Sequence, residues 1–266
     1  MNAEAPPARV RRERMLALLQ ERDFVRVNEL ATRFEVSEVT VRSDLGVLER
    51  RGALRRVRGG AVPRAASSIE RPFEEAEARA SREKRAIGDA AAQLVDSWDT
   101  IILDVGSTTT AVAHALAARQ DLGEVTVFTS SLTIALALEA AHPRLSVVVT
   151  GGTLRPKQHS LVEPLAGFVL HSIHAGKLFL GCNGVDVEAG VTNVNLPETE
   201  IKRQMVAASQ QRILCADSSK LGQVALAHVC PLDDIDVLVT DEGANGGQVD
   251  ALRTAGIDVQ LVPVTP

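Results

Sequence analysis

The segment Asp104-Val105-Gly106-Ser107-Thr108-Thr109-Thr110 holds the parts of an anion cradle. A glycine lets a ligand approach the backbone, hydroxyls surround it, and the start of a helix would offer free N–H groups at its positive end. A hydroxyl-rich helix cap has the same composition, so this loop alone does not decide the chemistry. Four more segments of similar character strengthen it: Thr129-Ser130-Ser131, Gly151-Gly152, Gly181-Cys182-Asn183-Gly184 and Asp217-Ser218-Ser219-Lys220. Lys220 adds a compact cation suited to a phosphate. Together they predict a site for a phosphorylated small molecule.

Loops of this kind converge only if they lie at the same ends of neighbouring strands. From about residue 100, short apolar runs alternate with amphipathic stretches. Seven runs read as strands: Thr100–Val105, Val125–Thr129, Leu145–Thr150, Lys177–Gly181, Arg212–Ala216, Val237–Thr240 and Val259–Val262. Helices fit between them, for example over Thr109–Ala118, Leu132–Ala141, Pro164–His174 and Glu198–Gln210. This alternation predicts an α/β unit with a mainly parallel sheet covered on both faces. Ligands on such sheets bind at the carboxyl ends of the strands.

Charge is divided unevenly along the chain. Residues 1–64 hold fourteen arginines, no lysine and nine acidic residues, a balance of +5, so the net charge of −5 leaves −10 for the rest. A basic head on an acidic body suits a small nucleic-acid module joined to a part that avoids nucleic acid. Within the head, Met15, Leu16, Leu18 and Leu19 recur at helical spacing from about Arg9 to Glu21. Phe24–Val27 reads as an extended link, Asn28 as the N-cap of a second helix with Leu30, Ala31 and Phe34, and Glu35-Val36 as a tight turn. Ser37 caps a third helix with the apolar stripe Val41, Leu45 and Leu48, ending near Gly52.

Leu54-Arg55-Arg56-Val57-Arg58, Gly59-Gly60 and Ala61-Val62 then read as a two-stranded basic wing. Three helices and a wing make a winged helix-turn-helix, whose third helix enters the major groove of double-stranded DNA. Ser37, Glu38, Thr40, Arg42 and Ser43 would face the groove, with Arg42 suited to guanine edges or a phosphate. Arg55, Arg56 and Arg58 suit the phosphate backbone or minor groove. Composition changes abruptly after this point, at Pro63, Ala65-Ala66-Ser67-Ser68 and Pro72. The expected organisation is a DNA-binding unit at 1–62, a hinge at 63–80 and an effector-sensing unit at 81–266.

The run Val36–Leu45, with Leu48-Glu49 and Arg55–Ala61, resembles the head of the DeoR family of transcription regulators. Asp104–Thr108, Gly151-Gly152 with Arg155, Gly181–Gly184, Glu198-x-x-x-Lys202-Arg203 and Asp217-x-Ser219-Lys220 resemble that family's sensor domain. The likeness implies a body similar in fold to ribose-5-phosphate isomerase and coenzyme A transferases. It also implies that Gly106, Ser107, Thr108 and Lys220 hold phosphate, while Asp104, Glu198, Lys202 and Asp217 line the sugar side. Thr109, Ser130, Gly151, Gly152, Arg155, Gly181 and Asn183 complete the expected effector site. Three positions depart from the family pattern: Ser43 replaces a common arginine, Ser130 an asparagine and Glu163 a glycine. A regulator of this type, expected to repress genes of sugar or carbohydrate metabolism, would act as a homodimer or homotetramer on a duplex operator.

Other chemistries fit less well. Glu198 and Asp217 have the side chains for aldose–ketose isomerisation, but Asn183 occupies a loop where the isomerase resemblance calls for an acid. No catalysis and no cofactor are expected. His171 and His174 are spaced i, i+3 without a near third ligand, so no metal is expected. Cys182, Cys215 and Cys230 lack CxxC spacing and suit neither a disulfide framework nor structural zinc. No apolar run approaches the roughly 20 residues of a membrane span. Glu13, Gln20 and Glu21 interrupt the Leu-rich N-terminal stretch, which therefore does not read as a signal peptide, and a cytoplasmic location is expected.

Overall fold

The computed structural model describes residues 8–21, 24–50, 54–57, 59–63 and 70–265, and the chain divides into two compact units at Ile69/Glu70. In the first unit the elements are α1 (Ala8–Glu21), β1 (Val25–Arg26), α2 (Val27–Phe34), α3 (Glu38–Arg50), β2 (Leu54–Val57) and β3 (Gly60–Pro63). Its core is one cluster in which Met15, Leu19, Leu30, Val41, Leu45, Leu48 and Leu54 are buried. Glu35 ends α2 in the left-handed conformation (φ 53°), which turns the chain sharply into α3. The Ser37 hydroxyl accepts from the Thr40 N–H at 3.1 Å, which is the expected cap.

Two details of the head differ from expectation. The wing has a third strand, since β1 pairs antiparallel with β3 and the order is β1-β3-β2. Because Val25 and Arg26 are held in that ladder, α2 begins directly at Val27 and Arg26, not Asn28, stands at its cap. Asn28 falls inside the first turn, where its Oδ1 accepts from the Glu29 N–H at 2.8 Å. Gly52, Arg58 and the side chain of Arg55 lie outside the described residues.

The second unit begins with α4 (Phe73–Ala78) and α5 (Ser81–Ala92), and continues with β4 (Thr100–Leu103), α6 (Ser107–Ala118), β5 (Val125–Thr129), α7 (Leu132–Glu139) and β6 (Leu145–Val149). Next come β7 (Thr153–Arg155), β8 (Ser160–Val162), α8 (Leu165–Leu170), β9 (Ala175–Leu180), β10 (Gly184–Asp186) and β11 (Gly190–Asn193). The rest is α9 (Leu196–Ala207), β12 (Ser209–Cys215), β13 (Ala227–Cys230), β14 (Val237–Asp241), α10 (Gly246–Thr254) and β15 (Asp258–Val262). All seven strands read from the sequence form one sheet in the order β15-β14-β12-β9-β4-β5-β6, every neighbouring pair parallel.

Two apolar clusters cover the sheet. One packs Leu170, Leu178, Ile201, Met205 and Leu238, the other Ile87, Ile101, Val112, Leu116 and Ile134. Three expected helices end early: α7 stops at Glu139, α8 at Leu170, and α9 at Ala207 because Ser209 already pairs with Ala175 in the sheet. The stretch from Glu70 onward, expected to be part of a hinge, runs on this second unit with Phe73 buried. Two small antiparallel sheets, β7-β8 and β10-β11-β13, carry loops around the strand tips.

Candidate functional site

From β4 the sheet grows in opposite directions, to β5 and β6 on one side and to β9 on the other. The carboxyl ends of β4 and β9 therefore form the topological switch point, where sheets of this kind take their ligands. Asp104 follows β4 and Gly181 follows β9. Asp104 Oδ2 accepts from the Gly181 N–H at 2.9 Å and from Lys202 Nζ, and Lys202 donates to the Gly181 carbonyl at 3.0 Å. The Asp104 and Lys202 side chains are only 2% and 4% exposed. A buried ion pair with each end further hydrogen-bonded is the arrangement that offsets desolvation.

Lys202 comes from α9, one turn beyond Glu198, so both project from one helix face. The Asn195 side chain caps that helix by accepting from the Glu198 N–H at 3.1 Å. Glu198 Oε1 accepts from Ser160 Oγ at 2.7 Å and from Arg155 Nη1. Burial lifts the Glu198 pKa above its ordinary value, against the pull of Lys202, the Ser160 hydrogen bond and Arg155.

The predicted cradle stands at the N-terminus of α6. Gly106 (φ 147°) turns the chain into the helix in a conformation that L side chains rarely adopt. No side chain among the described residues caps this helix, whose first N–H groups have no partner within the turn. Ser107 and Thr108 are half-buried there. Thr109 and Thr110 point inward, both donating to the Gly106 carbonyl at 2.9 Å. At the next strand tip Ser130 is buried and its hydroxyl has no partner among the described residues. A buried orphan hydroxyl is rare enough to need a reason, and a ligand oxygen supplies one.

After β12, Asp217 Oδ1 accepts from the Ser219 N–H at 3.2 Å and fixes the turn that carries Lys220. The Lys220 ammonium has no hydrogen bond or ion pair among the described residues. Cys182 lies near Lys220, Lys202, Asp217 and Asp104, and desolvation pushes its thiol up to about 12 despite the two cations. Asp241, unnoticed in the sequence, accepts from the Ser218 N–H at 2.6 Å and the Gly243 N–H at 3.1 Å. It bridges the loops after β12 and β14.

Other expected site residues are taken up by the scaffold. The Asn183 side chain accepts from the Val194 N–H at 2.9 Å and ties the entry to β10 to the exit from β11. Gly152 (φ 122°) lets β7 and β8 close, since a Cβ there would stand 2.0 Å from the Val162 carbonyl oxygen. Gly151 (φ 72°) is half-buried beside Leu165. Arg155 is divided between Glu198 and Glu70. Glu163 Oε1 accepts from Gln204 Nε2 at 2.8 Å; on α9 Gln204 is two residues from Lys202, off the face that carries Glu198 and Lys202.

In the head, Ser37, Glu38, Arg42 and Ser43 are exposed and Thr40 is partly so. Arg42 Nη2 meets Glu38 Oε2 at 2.7 Å, an exposed i, i+4 pair. Val39, 74% exposed on the same turn, was missed because it lies off the apolar stripe. Asp44 is buried and accepts from Arg11 Nε at 2.6 Å and Arg12 Nε at 2.7 Å, tying α1 to α3. Arg56 is exposed on β2, and its N–H donates to Glu49 Oε1 at 2.8 Å. His171 Nδ1 contacts the Gly167 carbonyl oxygen at 2.7 Å. Among the described residues no cluster of three metal-ligating side chains forms, and no helix is long and apolar enough to cross a membrane.

Residues 11–65 match the family model of the DeoR-like helix-turn-helix domain, and residues 79–242 that of the DeoR C terminal sensor domain. The chain is 38% identical over 255 residues to an uncharacterized HTH-type transcriptional regulator, YulB, of Bacillus subtilis, covering 96% of this chain and 97% of that one. It is 33% identical to a putative aga operon transcriptional repressor of Escherichia coli O157:H7, over 95% of this chain and 93% of the other. The HTH-type transcriptional regulator GolR of Listeria innocua is 33% identical over 94% of this chain and 97% of its own. Among solved structures, ribose 5-phosphate isomerase A from Methanocaldococcus jannaschii is similar at a TM-score of 0.39, with 16% identity and 52% of each chain covered.

Proposed function

Because the chain belongs to the DeoR family of helix-turn-helix transcriptional regulators, which are not enzymes, we propose that it is a repressor whose hold on DNA is set by a phosphorylated sugar. The observation that carries the effector reading is that, among the described residues, the α6 N-terminus has no side-chain cap and the Ser130 hydroxyl, at the next strand tip, has no partner, with Lys220 also without a hydrogen bond or ion pair. Backbone N–H groups of Ser107 and Thr108, reached past Gly106, take the phosphate with Lys220. Asp104, Glu198, Lys202 and Asp217 take the sugar hydroxyls. Thr109, Gly151, Gly152, Gly181, Asn183 and Arg155 shape the walls rather than reach the ligand, in keeping with their bonds to the scaffold.

On the DNA side, Ser37, Glu38, Thr40, Arg42 and Ser43 meet the major groove, and Val39 packs on a thymine methyl. Arg42 leaves Glu38 at small cost, since an exposed pair of this kind is worth about 0.3–0.5 kcal/mol. Arg55, Arg56 and Arg58 grip phosphates from the wing. Two heads of a cytoplasmic homo-oligomer read half-sites roughly 34–36 Å apart or a multiple of it. Genes of sugar or carbohydrate metabolism are the expected targets, as the name of the aga operon repressor suggests for that relative.

Two measurements test this. Fluorescence anisotropy with duplexes from upstream of the protein's own coding region should give binding that weakens steeply with salt, and a thermal-shift screen of sugar phosphates should give a hit that inorganic phosphate does not match. Salt-insensitive or absent DNA binding refutes the first half. A flat screen across pentose and hexose phosphates refutes the second.

A further inference from the structure

Arg155 joins two carboxylates that are far apart in the chain. Its Nη1 donates to Glu198 Oε1, and its Nη2 donates to both oxygens of Glu70 at 2.8 and 2.6 Å. The three side chains are 16%, 11% and 17% exposed, so the guanidinium is divided between its partners in a setting largely removed from water. Glu198 belongs to the strand-tip cluster, one helical turn from Lys202. Glu70 is the first residue of the large unit, and Ile69 the last of the head unit.

The contact continues along the same strap. Gln158 Nε2 donates to the Arg71 carbonyl, His159 Nε2 meets Glu74 Oε1 at 2.8 Å, and the His159 ring stands edge-on to Phe73 at 5.7 Å between centroids. Residues 70–74 are thus fastened to the turn 155–159, which extends from the two-stranded hairpin rather than from the main sheet. A guanidinium fork has a fixed geometry, so what happens at one prong decides how the other is aimed.

We propose that Arg155 is a positioning residue for the strap 70–74, through which the state of Glu198 at the strand tips is passed to the segment that tethers the head. The proposal rests on the effector reading only for what acts on Glu198 in the cell. A ligand hydroxyl that donates to Glu198 draws on the same Glu198 oxygens and so re-divides Arg155. Glu70 then loses the alignment of its guanidinium partner, and the strap loosens where it enters the large unit. Coupling of this kind needs an element with two arrangements, and a strap held by one shared guanidinium supplies it.

Hydrogen exchange followed by mass spectrometry on the full chain, without any ligand, tests the coupling. Glu198→Gln should speed amide exchange in peptides spanning 70–80 by about fivefold, the size of a coupling near 1 kcal/mol. Asp217→Asn, a change at another strand-tip carboxylate that does not touch Arg155, should leave those peptides as they were. In an Arg155→Lys background, which keeps the charge but not the fork, Glu198→Gln should no longer change the exchange at 70–80. If Arg155→Lys fails to fold, Glu70→Gln serves the same purpose, because it removes the far end of the chain. Unchanged exchange at 70–80 in Glu198→Gln, or an equal increase in Asp217→Asn, overturns the proposal. A flat phosphosugar screen would remove the effector and leave this result standing, so the two failures are separable.

Discussion

The head and the body use charge in opposite ways. In the head the Glu38 and Arg42 charges, proposed to face the groove, are exposed and paired with each other, while Asp44, a buried carboxylate, serves to tie α1 to α3. In the body most charges at the strand tips are inside, with Asp104–Lys202 and Glu198–Arg155 locked into pairs, and Lys220 is left without a hydrogen bond or ion pair among the described residues. An exposed ion can exchange water for phosphate with little loss, which suits reversible attachment to a polyanion. A buried ion can only exchange one partner for another, which suits recognition of a small ligand that must bring matching groups. The same residue types are thus set for affinity in one unit and for discrimination in the other.

The largest expected effect lies in the body. Lys202→Met leaves Asp104 buried with only the Gly181 N–H, and should cost about 3–5 kcal/mol in denaturant unfolding. Adding Asp104→Asn should restore much of that, because the uncompensated charge is then gone. If the double variant is as unstable as the single one, the pair is not isolated from water and the contrast between the units weakens. In the head, Asp44→Ala removes one ion-pair partner from each of two arginines. Arg12 remains 25% exposed and keeps part of its hydration, so the expected cost is smaller, about 2–3 kcal/mol. It should appear as an earlier unfolding transition of the head, with exchange in the 100–118 region unchanged.

Much of this architecture is legible in the sequence, and what is not has a physical reason. Buried parallel strands read as unbroken apolar runs, so all seven strands of the main sheet stood out. The Ser37 cap and the Val41, Leu45, Leu48 stripe were visible for the same local reason. The β7-β8 hairpin and the β10-β11-β13 sheet were not, since strands of three or four residues with mixed polarity carry little periodic signal. Asn28 has the chemistry of a cap, but pairing of β1 with the wing set the helix start one residue before it. Arg155 was grouped with the ligand residues; its ion-pair partners Glu198 and Glu70 lie 43 and 85 positions away and leave no local trace.

A smaller effect, confined to binding, is expected for the recognition helix. Arg42→Ala should weaken operator binding by about 1–3 kcal/mol if the guanidinium reads a base, and change the unfolding free energy by less than about 0.5 kcal/mol. Anisotropy titrations beside chemical denaturation separate the two quantities. A loss of stability as large as the loss of binding would mean that the exposed head charges are structural after all, and the contrast with the body would fail on that side.

The smallest expected signal is a reaction that hardly proceeds. Cys182 lies near Lys202 and Lys220, which favour a thiolate, yet desolvation dominates and pushes it up to about 12. At pH 8 the native protein then holds very little Cys182 thiolate, the reactive form, although the residue is partly exposed. Iodoacetamide should therefore leave Cys182 essentially unlabelled over an hour in the native protein, with the rate rising about tenfold per pH unit. Burial also raises Cys230 to about 12 and raises Cys215. The unfolded chain releases these protons first, so the body should lose stability as pH climbs from about 9 toward 12. Rapid labelling of Cys182 at pH 8 would mean that the field of the two lysines prevails over desolvation. The strand tips would then be a wet, cationic surface like the face of the head, and the body's charges would act by attraction alone.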